Sequence, residues 1–358
     1  MDSEMTKKLG TSLIVPSVQE LVKKSITKVP ERYVQQNQDP HVVSSIISLP
    51  QVPVIDLNKL LTEEDGTELD KLDYACKEWG FFQLINHGVN SSLVENFKKL
   101  VQDFFNLSAE EKKVFAQKPG DMEGFGQMFV VSDEHKLEWA DLFYLLTLPS
   151  YRRNPHLFPS IPQPFRENLE MYSLELKKLS VTIIEFMTKA LKIQPSELLE
   201  FVEDGTQAMR MNYYPPCPYP EQVIGLNPHS DAGCLTILLQ VNNEIEGLQI
   251  RKDGMWIPIK PLPNAFVINI GDMLEIMTNG IYRSIEHRAT INSEKERISI
   301  ATFHGPKLDA IIGPTPSLVT PKCSAVFNNI SVKDFYKGYF SRQLEGKSYI
   351  DVMRIQNE

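Results

Sequence analysis

The chain has 358 residues, 42% of them hydrophobic and 23% charged, which is enough apolar material for a sizeable core and rules out a disordered or fibrous chain. Its 37 Lys and Arg against 46 Asp and Glu leave a net charge of −9, so a nucleic-acid backbone or an acidic membrane is a poor partner. The length fits one large domain with accessory helices, or two intimately packed subdomains, rather than three independent domains.

The first ten residues carry Lys7 and Lys8 but no following apolar run, so no secretory signal is expected. The longest apolar tracts, Leu235–Leu239 and Ala265–Ile270, fall far short of the roughly 20 residues that cross a bilayer, so no membrane partner is expected. Cys76, Cys217, Cys234 and Cys323 are scattered without a CxxC pair, which predicts reduced thiols and a cytoplasmic protein. Ser17-Val18-Gln19-Glu20 and Ser108-Ala109-Glu110-Glu111 each read as a capping box that opens a helix, with a short strand over Val52–Leu57 between them. From Phe165 to Ile193, apolar residues recur every three to four positions and predict one long amphipathic helix.

After Ala208 the period changes. Leu235–Leu239, Gly247–Ile250, Trp256–Ile259, Ala265–Ile270 and Ile298–Phe303 are short β-type runs separated by turn residues, the pattern of an antiparallel sandwich or jelly roll. The proline-rich stretch Tyr213–Pro220 must be a loop after a strand, because proline supplies no N–H to a ladder. The fold class expected is α+β, a jelly-roll core over residues 205–310 with flanking helices.

His229-Ser230-Asp231 puts an imidazole and a carboxylate on one face of an extended strand, where they can grip one cation or simply hydrogen-bond in a loop. His287 follows after several β runs, and a meandering sheet can return it to that pair. Two histidines and one carboxylate on one face of an ion leave positions open, the arrangement of non-haem Fe(II) oxygenases. Arg297 and Ser299 form another i,i+2 pair, a clamp for a ligand carboxylate unless the arginine is spent on an internal salt bridge. Asn212 and Tyr214 share a face in the same way. Phe303 has the parity of Arg297 and Ser299, so it faces either a pocket or the packed core.

Together, Asn212–Pro218, His229-Ser230-Asp231, His287 and Arg297-Ile298-Ser299 resemble the signature of plant 2-oxoglutarate/Fe(II)-dependent oxygenases. The resemblance extends to Trp79–Val89, Gly124–Gln127 and Gly346–Tyr349, and is closest to the senescence-related-gene type clade that includes the opium-poppy alkaloid O-demethylases. It implies a double-stranded β-helix fold in which His229, Asp231 and His287 hold Fe(II). Arg297, Ser299 and Tyr214 would then bind the distal carboxylate of 2-oxoglutarate, with Asn212 in support. Dioxygen is the second cosubstrate and ascorbate the expected reductant. The implied activity is hydroxylation, O-demethylation or desaturation of a hydrophobic aromatic metabolite, with release of succinate and CO2. A related iron oxidase that does not use 2-oxoglutarate, and a non-enzymatic ligand-binding jelly roll, are the competing readings.

The expected organisation is an N-terminal helical extension (1–49), an N-terminal oxygenase region (50–160), a supporting helix region (161–204), the jelly-roll domain (205–310) and a C-terminal helical lid (311–358), in a monomer. Pocket candidates are Phe303, Phe125, Met128 and Phe129, with the segment Phe335–Phe340 as a further wall or lid. His87 is read as part of a turn rather than a ligand, His41, His135, His156 and His304 as surface or packing residues, and Cys217 and Cys234 as buried thiols.

Overall fold

The computed structural model describes residues 12–24, 26–35, 39, 49–242, 244–344 and 346–356, so the reading of His41 lies outside the described residues. In chain order the strands are β1 (Val54–Asp56), β2 (Phe81–Ile85), β3 (Gly124–Gly126), β4 (Asp141–Leu148), β5 (Thr206–Tyr214), β6 (Leu226–His229), β7 (Leu235–Gln240), β8 (Leu248–Lys252), β9 (Met255–Pro258), β10 (Phe266–Ile270), β11 (His287–Ala289) and β12 (Arg297–Gly305), then a short pair, β13 (Ile311–Ile312) and β14 (Ile330–Ser331). The helices are α1 (Val18–Val22), α2 (Leu57–Thr62), α3 (Thr67–Tyr74), α4 (Ser91–Asn106), α5 (Ala109–Lys112), α6 (Gln163–Leu191), α7 (Ser196–Val202), α8 (Asp272–Met277) and α9 (Val332–Phe340).

One sheet has the order β1-β2-β10-β7-β12-β5-β4-β3 and a smaller one β6-β11-β8-β9. Every pairing in them is antiparallel except β1 with β2. Phe81 and Val267 of the large sheet bury against Leu248, Ile250 and Ile257 of the small one, so the two sheets pack face to face as a jelly roll. The large sheet reaches beyond the 205–310 span expected for the core, because β1 to β4 extend it at both edges. These four strands are separated by helices and loops, which interrupts the even strand spacing that made the later ones visible.

The predicted long helix is α6. Phe165, Leu169, Tyr172, Leu176, Leu179, Ile183 and Met187 form its buried stripe, each apolar side chain contributing roughly 1.5–3 kcal/mol by leaving water. A proline in the first turn starts the helix and Lys192, in the left-handed region at φ 58°, ends it. α6 lies on β4, β7 and β12 and against α4, where Phe97 meets the Tyr172 ring at 4.5 Å, so it backs the site-bearing strands.

The capping box at Ser108 is present in both its halves. The one at Ser17 is only half made. Ser17 Oγ accepts from the Glu20 N–H, but Glu20 turns away to Lys23, and the carboxylate at this helix start is that of Asp141 of β4. Asp141 accepts from Ser17 Oγ at 2.7 Å and from the N–H groups of Val18 and Gln19 at 2.9 Å each. A long-range carboxylate thus replaces the local one, a substitution that local spacing cannot reveal.

Candidate active site

The sheet registers assemble the site. β11 pairs β6 with His287 opposite His229, which brings the ring centroids to 4.2 Å. Asp231 lies two residues past the end of β6, just before the bend at 232–234. Its Oδ1 stands 3.5 Å from His229 Nε2 and 3.6 Å from His287 Nε2, and all three side chains are buried. These are the His, Cys, Asp and Glu side chains that gather tightly enough to hold a metal ion among the described residues.

The surroundings fit a cation. His229 Nδ1 lies 2.8 Å from the Asn227 carbonyl and His287 Nδ1 3.0 Å from the Ile285 carbonyl. A carbonyl only accepts, so each Nδ1 carries a proton and each Nε2 is the ring nitrogen turned toward the centre, the atom a metal would take. Asp231 Oδ2 is occupied by Thr236 Oγ1 at 2.6 Å and Asn269 Nδ2 at 2.7 Å, which leaves Oδ1 to face the imidazoles. Burial alone would raise the Asp231 pKa, but His287, His229 and Asn269 more than reverse it and hold the carboxyl well below the usual range. Burial and the neighbouring His229 push His287 down to about 4. Two imidazole nitrogens and a carboxylate oxygen therefore converge, a donor set that suits a divalent ion.

Beside this set, strand alternation lays a polar floor. β12 pairs β5 with Arg297 opposite Tyr214, Ser299 opposite Asn212, Ala301 opposite Arg210 and Phe303 opposite Ala208. Arg297, Ser299, Tyr214 and Asn212 line one cavity together with the metal-ligating candidates. Arg297 Nε donates to Gln240 Oε1 at 3.0 Å, and its guanidinium carbon stands 5.1 Å from the Tyr214 ring centroid. It has no salt-bridge partner among the described residues, so the internal ion pair weighed above is not formed. Asn212 Nδ2 donates to Ser299 Oγ at 3.4 Å and its Oδ1 is buried without a partner.

A second cavity, on the other side of His229 and Asp231, is mostly apolar. Met122, Met128, Phe129, Leu146, Phe303, Leu308 and Phe340 line it, with Glu123, Tyr144 and Arg210 as its polar patch. Phe303, Arg210, His229 and Asp231 line both cavities, so the two meet at the triad. Met128, Phe129 and Phe303 line this cavity. Phe125 does not, and is corrected: it pairs with Phe143 across β3 and β4, which puts its ring on the helix-side face, 6.1 Å from Phe104, while Tyr144 and Leu146 of the alternate parity face the cavity. Of the segment Phe335–Phe340, Tyr336, Tyr339 and Phe340 reach the cavity, whereas Phe335 packs on Tyr349.

The sequence reading missed Arg210, Glu123, Thr236 and Asn269. Arg210 has the parity of Asn212 and Tyr214 and was findable by that sign. It is buried 3.7 Å from Glu138, and its Nε and Nη2 have no hydrogen-bond partner. His87 packs at 4.3 Å on Phe266, His304 is buried against Gln207, His135 is half-buried and His156 exposed, all four outside the triad. Cys217 and Cys234 are buried free thiols, and burial pushes Cys234 up to about 12.

Residues 205–306 match the model of the 2OG-Fe(II) oxygenase superfamily, and residues 52–161 that of the non-haem dioxygenase in morphine synthesis N-terminal region. The chain is 55% identical over 350 residues to Protein SRG1 of Arabidopsis thaliana, covering 96% of this chain and 98% of that one. It is 53% identical to oxoglutarate-dependent flavonoid 7-O-demethylase 1 of Ocimum basilicum, over 99% and 95% of the two chains. It is 53% identical to thebaine 6-O-demethylase of Papaver somniferum, over 99% and 100%. The crystal structure of JOX2 in complex with 2OG, Fe and JA superposes with a TM-score of 0.85 at 34% identity, over 96% and 98% of the two chains. A jelly roll whose sheets join a buried His-Asp-His set to a polar cavity, and whose relatives align along almost the entire chain, leaves one assignment: this chain belongs to the 2OG-Fe(II) oxygenase superfamily and is an iron- and 2-oxoglutarate-dependent dioxygenase.

Proposed function

We propose that His229, Asp231 and His287 hold the Fe(II) and that Arg297, Ser299 and Tyr214 receive the distal carboxylate of 2-oxoglutarate, with Asn212 in support. The apolar cavity then takes a hydrophobic, aromatic plant metabolite bearing a methoxyl group, and the enzyme removes the methyl group. One observation carries this reading: the polar and apolar cavities share His229, Asp231 and Phe303, so a cosubstrate in one and a substrate in the other meet at the same ion. The relatives named as O-demethylases, at 53% identity, support the choice of reaction.

Bound iron, 2-oxoglutarate and dioxygen supply the oxidising equivalent, with succinate and CO2 as coproducts. The chain's own residues do the rest. Thr236 and Asn269 tie up Asp231 Oδ2, so the carboxylate is offered through one oxygen and room remains for both cosubstrates. The planar fork of Arg297 matches a carboxylate, and its burial against Gln240 keeps water from competing. Phe303 stacks on the aromatic substrate, and the unpartnered N–H groups of Arg210 donate to an oxygen on it. Tyr336, Tyr339 and Phe340 form part of the cavity wall. Hydroxylating a methoxyl carbon yields a hemiacetal that collapses to the free hydroxyl and formaldehyde; where another C–H is presented, hydroxylation or desaturation follows instead.

All these groups come from one chain, which supports a monomer, and three buried free thiols suit a reducing cytoplasm. The test is oxygen-dependent release of succinate and formaldehyde with Fe(II), ascorbate and 2-oxoglutarate, across methoxylated flavonoids and alkaloids and their hydroxyl counterparts. Formaldehyde should equal succinate for a good substrate. Succinate without formaldehyde would replace demethylation by hydroxylation or desaturation, and turnover without 2-oxoglutarate would overturn the cosubstrate assignment.

A further inference from the structure

β6 is the edge strand of the small sheet, paired on one side by β11, and its last residue is His229. An unpaired edge frays and its end wanders, which is a poor platform for a metal ligand. The C-terminal segment covers that edge. Gly346 bridges to His229 in parallel fashion, and its N–H donates to the Pro228 carbonyl at 2.8 Å. Gly346 adopts φ 61°, the left-handed region that favours glycine. Lys347, next in the chain, pairs with the buried Glu275 carboxylate.

Seven residues before Gly346, Tyr339 projects from the last turn of α9. Its ring is buried edge-on against Phe129 at 5.9 Å, and its hydroxyl donates to the Ser230 carbonyl at 2.8 Å. Ser230 is the residue between His229 and Asp231, and its own Oγ donates to Asp272 Oδ2 at 3.0 Å. The carbonyls on both sides of His229, those of Pro228 and Ser230, are thus held by one C-terminal segment.

We infer that Tyr339 is a positioning residue for the metal, and that with Gly346 it makes the C-terminal segment a clasp that fixes the His229–Asp231 stretch. The inference rests on the reading that His229, Asp231 and His287 hold the ion. The Ser230 carbonyl belongs to the peptide that leads into Asp231. Losing its donor frees that peptide to rotate and carries Asp231 Oδ1 away from the imidazoles. Groups that hydrogen-bond a metal-ligating side chain typically change metal affinity 10- to 100-fold, and Tyr339, which acts through the Ser230 peptide, belongs at the lower end of that range.

The experiment is titration of Co(II) into the metal-free full-length protein, followed by the visible ligand-field band, for the wild type, Tyr339→Phe and His229→Ala. Tyr339→Phe keeps the ring and its packing and deletes one hydrogen bond. Its Co(II) dissociation constant should rise about 10-fold, while the metal-free thermal midpoint drops by no more than about 2 °C, as one hydrogen bond allows. A role in packing alone predicts an unchanged Co(II) constant, and that result would overturn the clasp if His229→Ala loses Co(II) binding. Equal Co(II) binding by His229→Ala and the wild type would instead overturn the metal assignment, and the clasp with it.

Discussion

Arg297 and Gly247 show how much of the site rests on single residues. Arg297 has no carboxylate partner among the described residues and is buried, so its proposed ligand is 2-oxoglutarate. Truncating one partner of a buried charge pair costs about 3–5 kcal/mol, which at about 1.4 kcal/mol per decade is two to three orders of magnitude in 2-oxoglutarate affinity for Arg297→Ala. Arg297→Lys should fall between, having charge without the fork. Anaerobic titration of 2-oxoglutarate into the Fe(II) protein, read by its visible charge-transfer band, measures both. Gly247 touches the same group: a Cβ there would lie 2.6 Å from Arg297 Cδ and 3.0 Å from its Nε. Gly247→Ala should push the guanidinium off Gln240 and weaken 2-oxoglutarate binding roughly tenfold, with the Fe(II) constant unchanged. At the other cavity, burial pushes the Glu123 carboxyl up to about 7, with the Leu146 N–H opposing and Asp121 adding to the rise. Above that pH it is anionic and attracts a basic amine; below it, neutral. The KM of an amine substrate should therefore fall between pH 6 and 8, and Glu123→Gln should flatten that profile while a neutral substrate shows little change.

Among the elements, α1 and β4 are coupled by a single carboxylate. Asp141 takes three hydrogen bonds from Ser17, Val18 and Gln19, and just upstream Ser12 and Leu13 bond to the backbone of Gln127 and Val130. Met128 and Phe129, between those anchors, are cavity wall. Asp141→Ala should destabilise the fold by roughly 2–3 kcal/mol by leaving buried donors unpaired. It should also raise substrate KM more than it lowers kcat, because the wall loses its backing while the triad does not; denaturant melts with steady-state kinetics check both. The half-made box at Ser17 and the misjudged Phe125 have one cause. A capping motif and a glycine-flanked aromatic are local patterns, whereas the partner of each is set by where β4 lies in the sheet.

At the scale of the whole molecule, the metal-ligating candidates come from β6, the loop after it and β11 at the small sheet, and the polar floor from the large one, so a cofactor and cosubstrate bound there would tie the two sheets together. A ligand that binds the folded state alone stabilises it by about 2.7 kcal/mol at a hundredfold excess over its dissociation constant. Anaerobic Fe(II) should therefore raise the thermal midpoint by several degrees, and 2-oxoglutarate should raise it further. In His229→Ala the iron-dependent rise should vanish while the metal-free midpoint stays near that of the wild type, since apolar packing carries the fold. Differential scanning calorimetry of the two proteins, with and without iron, gives the comparison.

The jelly roll, the long helix α6, the His229-x-Asp231 pair and the Arg297-x-Ser299 pair are legible in the sequence because each is written in a short-range period: alternate residues of a strand share a face, and every third or fourth residue of a helix does; His287 is joined to its pair by the register of β11 on β6. Those periods say which side chains travel together and nothing about which strands lie side by side. The order of the eight-stranded sheet and the seating of β1 to β4 at its edges join elements that are not neighbours in the chain, and the pairing of β2 with β10, the carboxylate that Asp141 lends to α1 and the hold of Tyr339 on the Ser230 carbonyl each join residues more than a hundred positions apart. They exist only because face-to-face packing of two sheets brings those positions together, and buried polar groups must then find partners across the fold rather than along the chain.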